Sequence, residues 1–414
     1  MLLDMQGSRD PSQYGNEKGV SVNHYLIKMI DEILRSLDKN SVYEKFAVFC
    51  TMVDWRQAFD RQCPKLGINS FIRNRFRKSL IPLLINYFQN RKMIVKWHGT
   101  ESSMRDLNGG GPQGALWGIL EYLSQSNNNT DFMSPEKKFK FIDDLSILEL
   151  VNLLTIGLSS YNFKMHVASD IPVDGYFLDP NNMMTQQYLD KICQWTEENK
   201  MALNKDKTKA MLFNFTHNSQ FSTRISADET RTDIISEAKL LGVKLNDKLN
   251  WDSNTDFLVK KANARLRILH KLVSFDVPLE DLKTIYILYI RSHLEQSCQV
   301  WHSSLTLENL TDIERVQKNA LKIILQGKYV SYTQALEVFK LQRLYCRREE
   351  LCLSFARKCT KSKNTQVRAL FPHNNAHSTV ETRESEKYHV NMARTGRYKK
   401  SAVPYMQRLL NKNK

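Results

Sequence analysis

The sequence lacks the features of secreted, zinc-binding and membrane-spanning proteins. Its seven cysteines are odd in number and form no CxxC pair, which argues against a disulfide framework and a structural zinc site. The N-terminus has no basic region followed by an apolar stretch, and no run of about 18 apolar residues occurs anywhere. We therefore expect an intracellular protein without a membrane span, either nuclear or cytoplasmic.

Acidic residues are scarce relative to basic ones. The chain has 60 Lys and Arg against 44 Asp and Glu, which gives a net charge of +16. Residues 341–414 contain 17 Lys and Arg but only 5 Asp and Glu, and so carry 12 of the 16 net charges. Because Lys and Arg neutralise phosphates and release counterions, this excess predicts a nucleic-acid partner.

The remaining composition is typical of a folded globular protein, with 42% hydrophobic and 25% charged residues. A chain of 414 residues exceeds one ordinary core, so we expect two or three subdomains. Strand patterns alternate with helical ones up to about residue 250, and helical periodicity dominates from Asn254 onward. This order predicts an α+β part followed by a helical part.

Three carboxylates stand at the ends of predicted strands. The apolar run FAVFCTMV, from Phe46 to Val53, predicts a buried strand that stops at Asp54. The segment KFKFIDDLSILEL predicts a strand, a tight turn with Asp143 and Asp144, and a second strand. If these strands are neighbours in one sheet, the three side chains converge and suit divalent cations such as Mg²⁺. Taken alone, the acidic pair is better interpreted as an ordinary exposed turn, because such pairs are common.

Five segments around these carboxylates follow one another in a characteristic order. They are MVDWRQAFDRQ, GGGPQGALWGILEY, FIDDLS, WTEENKMALNKDKTKAMLF and AKLLGVKLNDKLNW. In this order they resemble motifs A to E of the reverse transcriptases of non-LTR retrotransposons. The resemblance extends over nearly the whole chain, from Gln13 to Asn411.

The resemblance implies a right-hand polymerase fold of the α+β class. Partial fingers would span residues 1–40, a palm with motifs A to E residues 41–250, an all-helical thumb residues 251–330, and a basic C-terminal region residues 331–414. Members of this family have further finger strands before the position that matches Gln13. We therefore expect an N-terminally truncated element.

The resemblance also assigns catalytic functions to residues of motifs A, C and D. Asp54, Asp143 and Asp144 match the catalytic carboxylates, which bind metal ions. Asp60 also lies in motif A, but the family pattern favours Asp54, and Asp60 is interpreted as a local structural contact. Lys207 matches the motif D lysine proposed to protonate the departing pyrophosphate, although a lone lysine in a basic run is usually a solvated charge.

Substrate and nucleic-acid contacts are implied for two further regions. Phe59 matches an aromatic residue that selects deoxynucleotides, although a plain core aromatic is equally compatible with the sequence. Pro112, Gln113 and Gly114 match the core of motif B, which approaches the template and the incoming nucleotide, although a simple glycine turn is the alternative. In the predicted thumb helix, a basic face would follow the nucleic-acid backbone or would simply be solvated; its residues are Lys260, Lys261, Arg265, Arg267 and Lys271.

Taken together, the resemblance implies an RNA-directed DNA polymerase that adds deoxynucleotides to a primer 3′-OH by two-metal phosphoryl transfer. Its cofactor would be two Mg²⁺ ions, with Mn²⁺ as a substitute. Its partners would be an RNA template, a DNA primer and deoxynucleoside triphosphates, with no membrane. Two alternatives remain open: a catalytically inactive, truncated remnant that only binds nucleic acid, and a two-metal nuclease.

Overall fold

A computed structural model describes residues 10–41, 46–107, 109–112, 114–152, 163–166, 172–178, 183–215, 221–223, 225–227, 230–373 and 387–413. Its helices are α1 (Val22–Leu37), α2 (Pro64–Arg73), α3 (Ile81–Phe88), α4 (Leu116–Gln125), α5 (Met184–Glu198), α6 (Asp252–Val273), α7 (Leu279–Ile285), α8 (Ser292–Glu295), α9 (Cys298–Trp301), α10 (Leu307–Leu325), α11 (Tyr332–Phe339), α12 (Leu344–Thr360), α13 (Thr365–Arg368), α14 (Gly396–Lys400) and α15 (Ala402–Lys412). Its strands are β1 (Phe46–Val53), β2 (Lys92–Met93), β3 (Lys96–Trp97), β4 (Thr100–Glu101), β5 (Arg105–Asp106), β6 (Lys138–Phe141), β7 (Asp144–Asn152), β8 (Phe163–His166), β9 (Pro172–Leu178), β10 (Lys209–Phe213), β11 (Phe221–Thr223), β12 (Ile225–Ala227), β13 (Thr230–Ile234), β14 (Glu237–Leu240) and β15 (Val243–Asn246). The predicted mixture of helix and sheet is confirmed.

The chain forms two compact units. The first unit comprises Met1–Glu17, Ala47–Leu212 and Thr216–Ile234, and the second comprises Lys18–Phe46, Phe213–Phe215 and Ile235–Lys414. Helix α1 therefore groups with the later helices. The proposed division into fingers, palm, thumb and C-terminal region stays a prediction. In the described residues, no helix has both the length and the apolarity that crossing a membrane requires.

The first unit is built on a six-stranded sheet with the order β12-β13-β10-β1-β7-β6. Strand β1 has the predicted bounds, and its residues from Ala47 to Thr51 are buried. Such a strand carries apolar side chains on both faces, so it suits the interior of a covered sheet. Helix α5 packs against β7 and β12 and contributes Leu189, Ile192 and Trp195 to the core. The sheet thus places β1 and β7 side by side.

The predicted acidic hairpin is confirmed. Strands β6 and β7 pair in antiparallel register, with Phe141 opposite Asp144, so that Ile142 and Asp143 form a two-residue turn. Ile142 has a φ of 58°, in the left-handed region that β-branched residues rarely adopt. The surrounding contacts must therefore hold this turn in place.

Residues with positive φ end regular structure at two places. The segment KLLGVKL is a hairpin of β14 and β15, in which Leu241 and Gly242 have φ values of 47° and 88°. Two residues with positive φ are typical of the tight turns that join antiparallel strands. The segment FIRNRFRKSLIPLLINYFQNR has a helical pattern, but its helix is interrupted between α2 and α3, since Arg75 has a φ of 55°.

The helical periodicity predicted from Asn254 onward is confirmed in the second unit, where α6 and α10 each bury an apolar stripe. On α6, Leu258, Ala262 and Leu269 are buried, and α6 packs against α10. The stripe on α10 is also buried, at Ile313, Val316, Ala320 and Ile324. Helix α1 is confirmed as a helix and packs against α9, α14 and α15. The polar segment PHNNAHSTVETRESEKYHV, residues 372–390, is the best linker or loop candidate in the sequence, and most of it lies outside the described residues.

A buried imidazole makes the second unit sensitive to acid. The side chain of His302 is 3% exposed, and its Nδ1 accepts a hydrogen bond of 3.3 Å from Nε of the buried Arg348. Burial and the charge of Arg348 lower the pKa of His302 to about 3. Between about pH 6.5 and pH 3 the unfolded chain therefore binds a proton that the folded chain does not, so acid destabilises the fold.

We expect the free energy of unfolding to fall by about 2 kcal/mol from pH 6.5 to pH 5 through this group. The variant His302→Gln keeps an acceptor for Arg348 but cannot take up the proton, so it should lose this part of the pH dependence. Urea unfolding of the full chain at pH 6.5 and pH 5 measures this change in the free energy of unfolding. The matched control is His270→Gln, at an exposed position of α6; it should keep the wild-type slope, and equal slopes for all three proteins would contradict the prediction.

Candidate active site

Three carboxylates lie where β1 ends and the neighbouring strand β7 begins. Asp54 follows the last residue of β1, while Asp143 and Asp144 lie at the turn into β7. Burial raises the pKa of Asp144 to about 6, and the charges of Asp143 and Asp54 contribute to this rise. Burial and Asp54 also raise the pKa of Asp143. The three negative charges therefore interact, as their placement on neighbouring strands predicted.

The chemistry of this site suits a divalent cation. Carboxylate oxygens are the ligands that Mg²⁺ takes in proteins, and a cation would offset the repulsion that, together with burial, raises the pKa values of Asp143 and Asp144. In the conformation described, however, no three His, Cys, Asp or Glu side chains among the described residues are arranged so that they could hold a metal ion. The three carboxylates are suitable ligands for Mg²⁺, and binding the ion would require a change in their side-chain rotamers.

Asp54 is fixed to the turn that carries Lys207. The backbone N–H of Asp54 donates to Oγ1 of Thr208 at 3.3 Å, and the N–H of Asn204 donates to the carbonyl oxygen of Asp54 at 2.8 Å. The N–H of Lys207 donates to the carbonyl oxygen of Asn204 at 3.2 Å, and its side chain is exposed. The structure thus brings the predicted motif A and motif D segments together.

The sequence interpretation missed the N-terminal segment that holds the acidic turn. Ile142 donates its N–H to Oε1 of Gln13 at 2.9 Å, and Nε2 of Gln13 donates to the carbonyl oxygen of Ile142 at 3.4 Å. The N–H of Gly15 also donates to Oε1 of Gln13, at 2.8 Å. One amide therefore fixes the strained residue beside Asp143. The sequence gives no signal for this contact, because Gln13 lies 129 positions from Ile142.

A buried ion cluster attaches the same segment to β6. Oδ2 of Asp10 lies 2.6 Å from Nζ of Lys140 and 3.2 Å from Nζ of Lys138. All three side chains are at most 4% exposed. Burial alone would raise the pKa of Asp10, but the two lysines lower it below its ordinary value. The lysines of KFKF, which alternation would place on a solvated face, therefore serve an internal ion pair.

The glycine-rich loop is held against the segment after β1. The N–H of Gly110 donates to the carbonyl oxygen of Gln62, and the N–H of Gly111 donates to that of Phe59, both at 2.8 Å. Phe59 is half-buried and its ring lies 5.1 Å from that of Tyr122. The structure thus joins the predicted motif A aromatic to motif B, and it leaves the sugar-selecting and core interpretations of Phe59 both open.

Two of the three predicted loop residues are described. Gly114 has a φ of 82°, which favours glycine, and the carbonyl oxygen of Pro112 accepts from the N–H of Ala115 at 3.2 Å. A Cβ at Gly118 would lie 2.4 Å from the carbonyl oxygen of Pro112, so this close approach also requires glycine. Gln113 lies outside the described residues.

A buried carboxylate beside this loop was also missed. Glu121 on α4 is fully buried, and neither of its carboxylate oxygens has a hydrogen-bond partner among the described residues. Burial raises the pKa of Glu121 to about 7, and the charge of Arg91 opposes the rise. Gly67 accommodates the carboxylate, since a Cβ there would lie 2.6 Å from Oε1. An isolated Glu in an otherwise apolar helix segment was the only available signal.

We expect Glu121 to make the fold less stable as the pH rises. Because its folded pKa is raised, the folded chain holds a proton between about pH 4.5 and 7 that the unfolded chain releases, so stability falls across this window. The variant Glu121→Gln should be about 2 kcal/mol more stable than wild type at pH 8 and equally stable at pH 4. Urea unfolding at both pH values measures this, with the exposed Glu136→Gln as control; a less stable Glu121→Gln at pH 8 would contradict it.

The predicted basic helix face exists on α6. Lys260, Lys261, Arg267 and Lys271 are exposed around the buried stripe. Arg265 is half-buried, with its guanidinium 4.0 Å from the ring centre of Tyr289 and Nη1 donating to the carbonyl oxygen of Tyr289 at 2.7 Å. Four of the five predicted cations are thus available to a partner, while Arg265 is partly engaged within the second unit.

Comparisons with known proteins point to one class of enzyme. No protein-family model matches the chain. It is 20% identical over 329 residues to a probable RNA-directed DNA polymerase from transposon X-element of Drosophila melanogaster, covering 78% of this chain and 33% of that protein. It is 22% identical over 326 residues to a probable RNA-directed DNA polymerase from transposon BS of the same species, covering 77% and 33%. The chain therefore spans about a third of the length of these curated relatives.

Solved structures give a weaker likeness. The apo telomerase from Candida tropicalis is 13% identical, with a TM-score of 0.39, and the match covers 89% of this chain and 59% of that one. Telomerase from Candida albicans in complex with a TWJ fragment of telomeric RNA is 11% identical, with a TM-score of 0.36, covering 89% and 56%. Scores this low support no conclusion about this chain. The sequence relatives carry the comparison: the chain is similar to two probable RNA-directed DNA polymerases from transposons, the class that its motifs resemble.

Proposed function

We propose that this chain is an RNA-directed DNA polymerase that adds deoxynucleotides to a primer 3′-OH. The observation that carries the proposal is the placement of Asp54, Asp143 and Asp144 on two neighbouring strands, where burial and the neighbouring carboxylates raise the pKa values of Asp143 and Asp144. These residues would hold two Mg²⁺ ions, or Mn²⁺ in their place. When bound, such ions activate the attacking oxygen and stabilise the leaving one in an in-line displacement.

Other residues of the first unit would position the substrate. The exposed Lys207, on the turn bonded to Asp54, would donate a proton to the departing pyrophosphate. Phe59 would crowd the sugar 2′ position and so select deoxynucleoside triphosphates. The loop with Pro112, Gln113 and Gly114 would approach the template and the incoming nucleotide through its backbone.

The right-hand assignment belongs to the same proposal. Residues 1–40 would be partial fingers, 41–250 the palm, 251–330 the thumb and 331–414 a basic C-terminal region. The exposed cations of α6 support a thumb that binds the RNA template and DNA primer through phosphates and shape rather than sequence.

Primer extension tests this function. We expect the full chain to incorporate dTTP on poly(rA)/oligo(dT) in the presence of Mg²⁺ and to stop when the ion is chelated. Poly(rA) without primer is the control for untemplated addition. Absence of incorporation with both Mg²⁺ and Mn²⁺ would refute the proposal.

The second candidate is a remnant that binds nucleic acid without catalysis. It is favoured by the exposed cations of α6, because their binding to phosphates needs none of the three carboxylates. Such a protein would bind the same primer–template in low salt and lose affinity steeply as salt rises. Binding without incorporation would identify it.

A further inference from the structure

The second unit contains a pocket whose residues the proposed polymerase function does not use. Its volume is about 250 Å³. Its apolar wall includes Ile30 and Leu34 from α1, and Trp251 from the turn between β15 and α6, all of them buried. The wall thus belongs to the buried core of the second unit. None of its lining residues is among the candidate catalytic residues.

The rim of this pocket is positively charged. Lys248, Arg397 and Lys400 line it and are exposed, and no Asp or Glu is among its lining residues. Nζ of Lys248 lies 3.9 Å from Oδ2 of Asp247, a distance at which exposed charges interact weakly. Arg397 and Lys400 form no ion pair with a described carboxylate. Two cations are therefore available to an anion.

The position of Arg397 is set by stacking. Its guanidinium lies 3.8 Å from the ring centre of Phe215, a contact that holds the planar group in one orientation. Lys400 ends the short helix α14, one turn further along, and its carbonyl oxygen accepts from Oγ of Ser304 at 3.0 Å. The backbone that carries both cations is thus attached to the core.

We infer that this pocket binds one nucleotide of a single-stranded nucleic acid. The phosphate would contact Arg397 and Lys400, and the sugar and base would cover the apolar wall. Single-strand sites combine a basic groove for the backbone with apolar surfaces for the bases. Bases in a duplex are stacked and paired, so a concave pocket of this size suits an unpaired nucleotide. This goes beyond polymerisation, since binding here needs none of the three carboxylates.

A nucleic-acid strand, a free nucleotide and inorganic phosphate would make different contacts with this pocket. An inorganic anion would use the two cations and leave the apolar wall exposed to water. A free nucleotide would use both but would lack the neighbouring phosphates that a strand presents to Lys248 and Lys399. The inference therefore requires that a strand bind more tightly than its mononucleotide, and the mononucleotide more tightly than phosphate.

The test is fluorescence anisotropy with a short labelled oligo(U), which forms no duplex. All proteins are full-length and carry Asp143→Asn, so that catalysis does not enter the measurement. The pocket variant is Arg397→Glu with Lys400→Glu. The control is Lys318→Glu with Lys328→Glu, which makes the same change in net charge at exposed lysines of the same unit.

We expect the pocket variant to lose at least about tenfold in affinity and the control less than about threefold. The negative slope of log affinity against log salt should become less steep by about 1.4 in the pocket variant, because two phosphate contacts are lost at about 0.7 each for a single strand. Unlabelled UMP should compete weakly and inorganic phosphate not at all. Equal losses in the two double variants would overturn the inference, and so would competition by phosphate as strong as that by UMP.

Two further measurements separate this inference from misfolding and from the polymerase proposal. Circular dichroism reports whether the double variant is folded, and the single change Lys400→Gln, at an exposed side chain, should already weaken oligo(U) binding about threefold. Unchanged binding by a folded Lys400→Gln would count against the pocket. Primer extension by the chain with Asp143 intact tests the polymerase separately, so either proposal can fail without the other.

Discussion

Replacing Asp143 by asparagine is expected to lower primer extension by at least about a hundredfold, the loss that follows removal of one preorganised electrostatic group. Asparagine has nearly the shape of aspartate but removes one of the three charges that would bind the cations. The measurement is the initial rate of dTTP incorporation on poly(rA)/oligo(dT) in Mg²⁺. The nearest matched change is Asp60→Asn, which alters an exposed carboxylate of the same motif and should leave the rate within about twofold.

The same variant should not be less stable than wild type. Burial and the charge of Asp54 raise the pKa of Asp143, so its ionised form at pH 8 is unfavourable in the folded chain. Removing that charge should leave the free energy of unfolding unchanged or increased at pH 8. A large loss of activity without a loss of stability would distinguish a catalytic role from a structural one. An extension rate within threefold of wild type would reject the assignment of Asp143.

Local patterns were sufficient to predict the elements that carry these carboxylates. Strand β1 has the predicted bounds, and the hairpin of β6 and β7 turns at the predicted acidic pair. Both are short runs in which apolar residues and a turn determine the conformation within about ten positions. Strand β1 pairs with β7 across some ninety positions of sequence. The sequence did not predict this pairing; convergence of the carboxylates was expected only if the two strands were neighbours.

The contacts that hold the site could not be predicted, because they are tertiary. Asp10 and Gln13 act on β6 and its turn from more than 100 positions away. Nothing near them in the sequence indicates those partners. Glu121 interrupts an apolar helix segment, yet only the folded structure shows that its carboxylate is buried without a hydrogen-bond partner among the described residues. Long-range pairing and desolvation are the two effects that a single sequence does not display.

Gly15→Ala is expected to disturb the candidate active site from a position outside all five motifs. A Cβ at residue 15 would lie 2.5 Å from the backbone nitrogen of Ile142 and 2.6 Å from its Cγ1. A backbone atom cannot rotate away as a side chain does, so the turn with Asp143 must move. We expect primer extension to fall by about a hundredfold, since displacement of a catalytic group by about 1 Å has that effect. The free energy of unfolding should fall by only about 1–3 kcal/mol.

Two controls separate displacement of the turn from loss of stability. Gly327→Ala adds the same methyl group where no atom lies within 4 Å, and it should change neither activity nor stability measurably. Leu84→Ala removes a fully buried side chain from the small core cluster of Phe71, Phe76, Phe88 and Leu120 and should cost about 2–5 kcal/mol. If that variant is folded at the assay temperature, it should keep most of its activity, because the acidic turn is intact. A Gly15→Ala protein as active as Leu84→Ala would show that the N-terminal segment does not position Asp143.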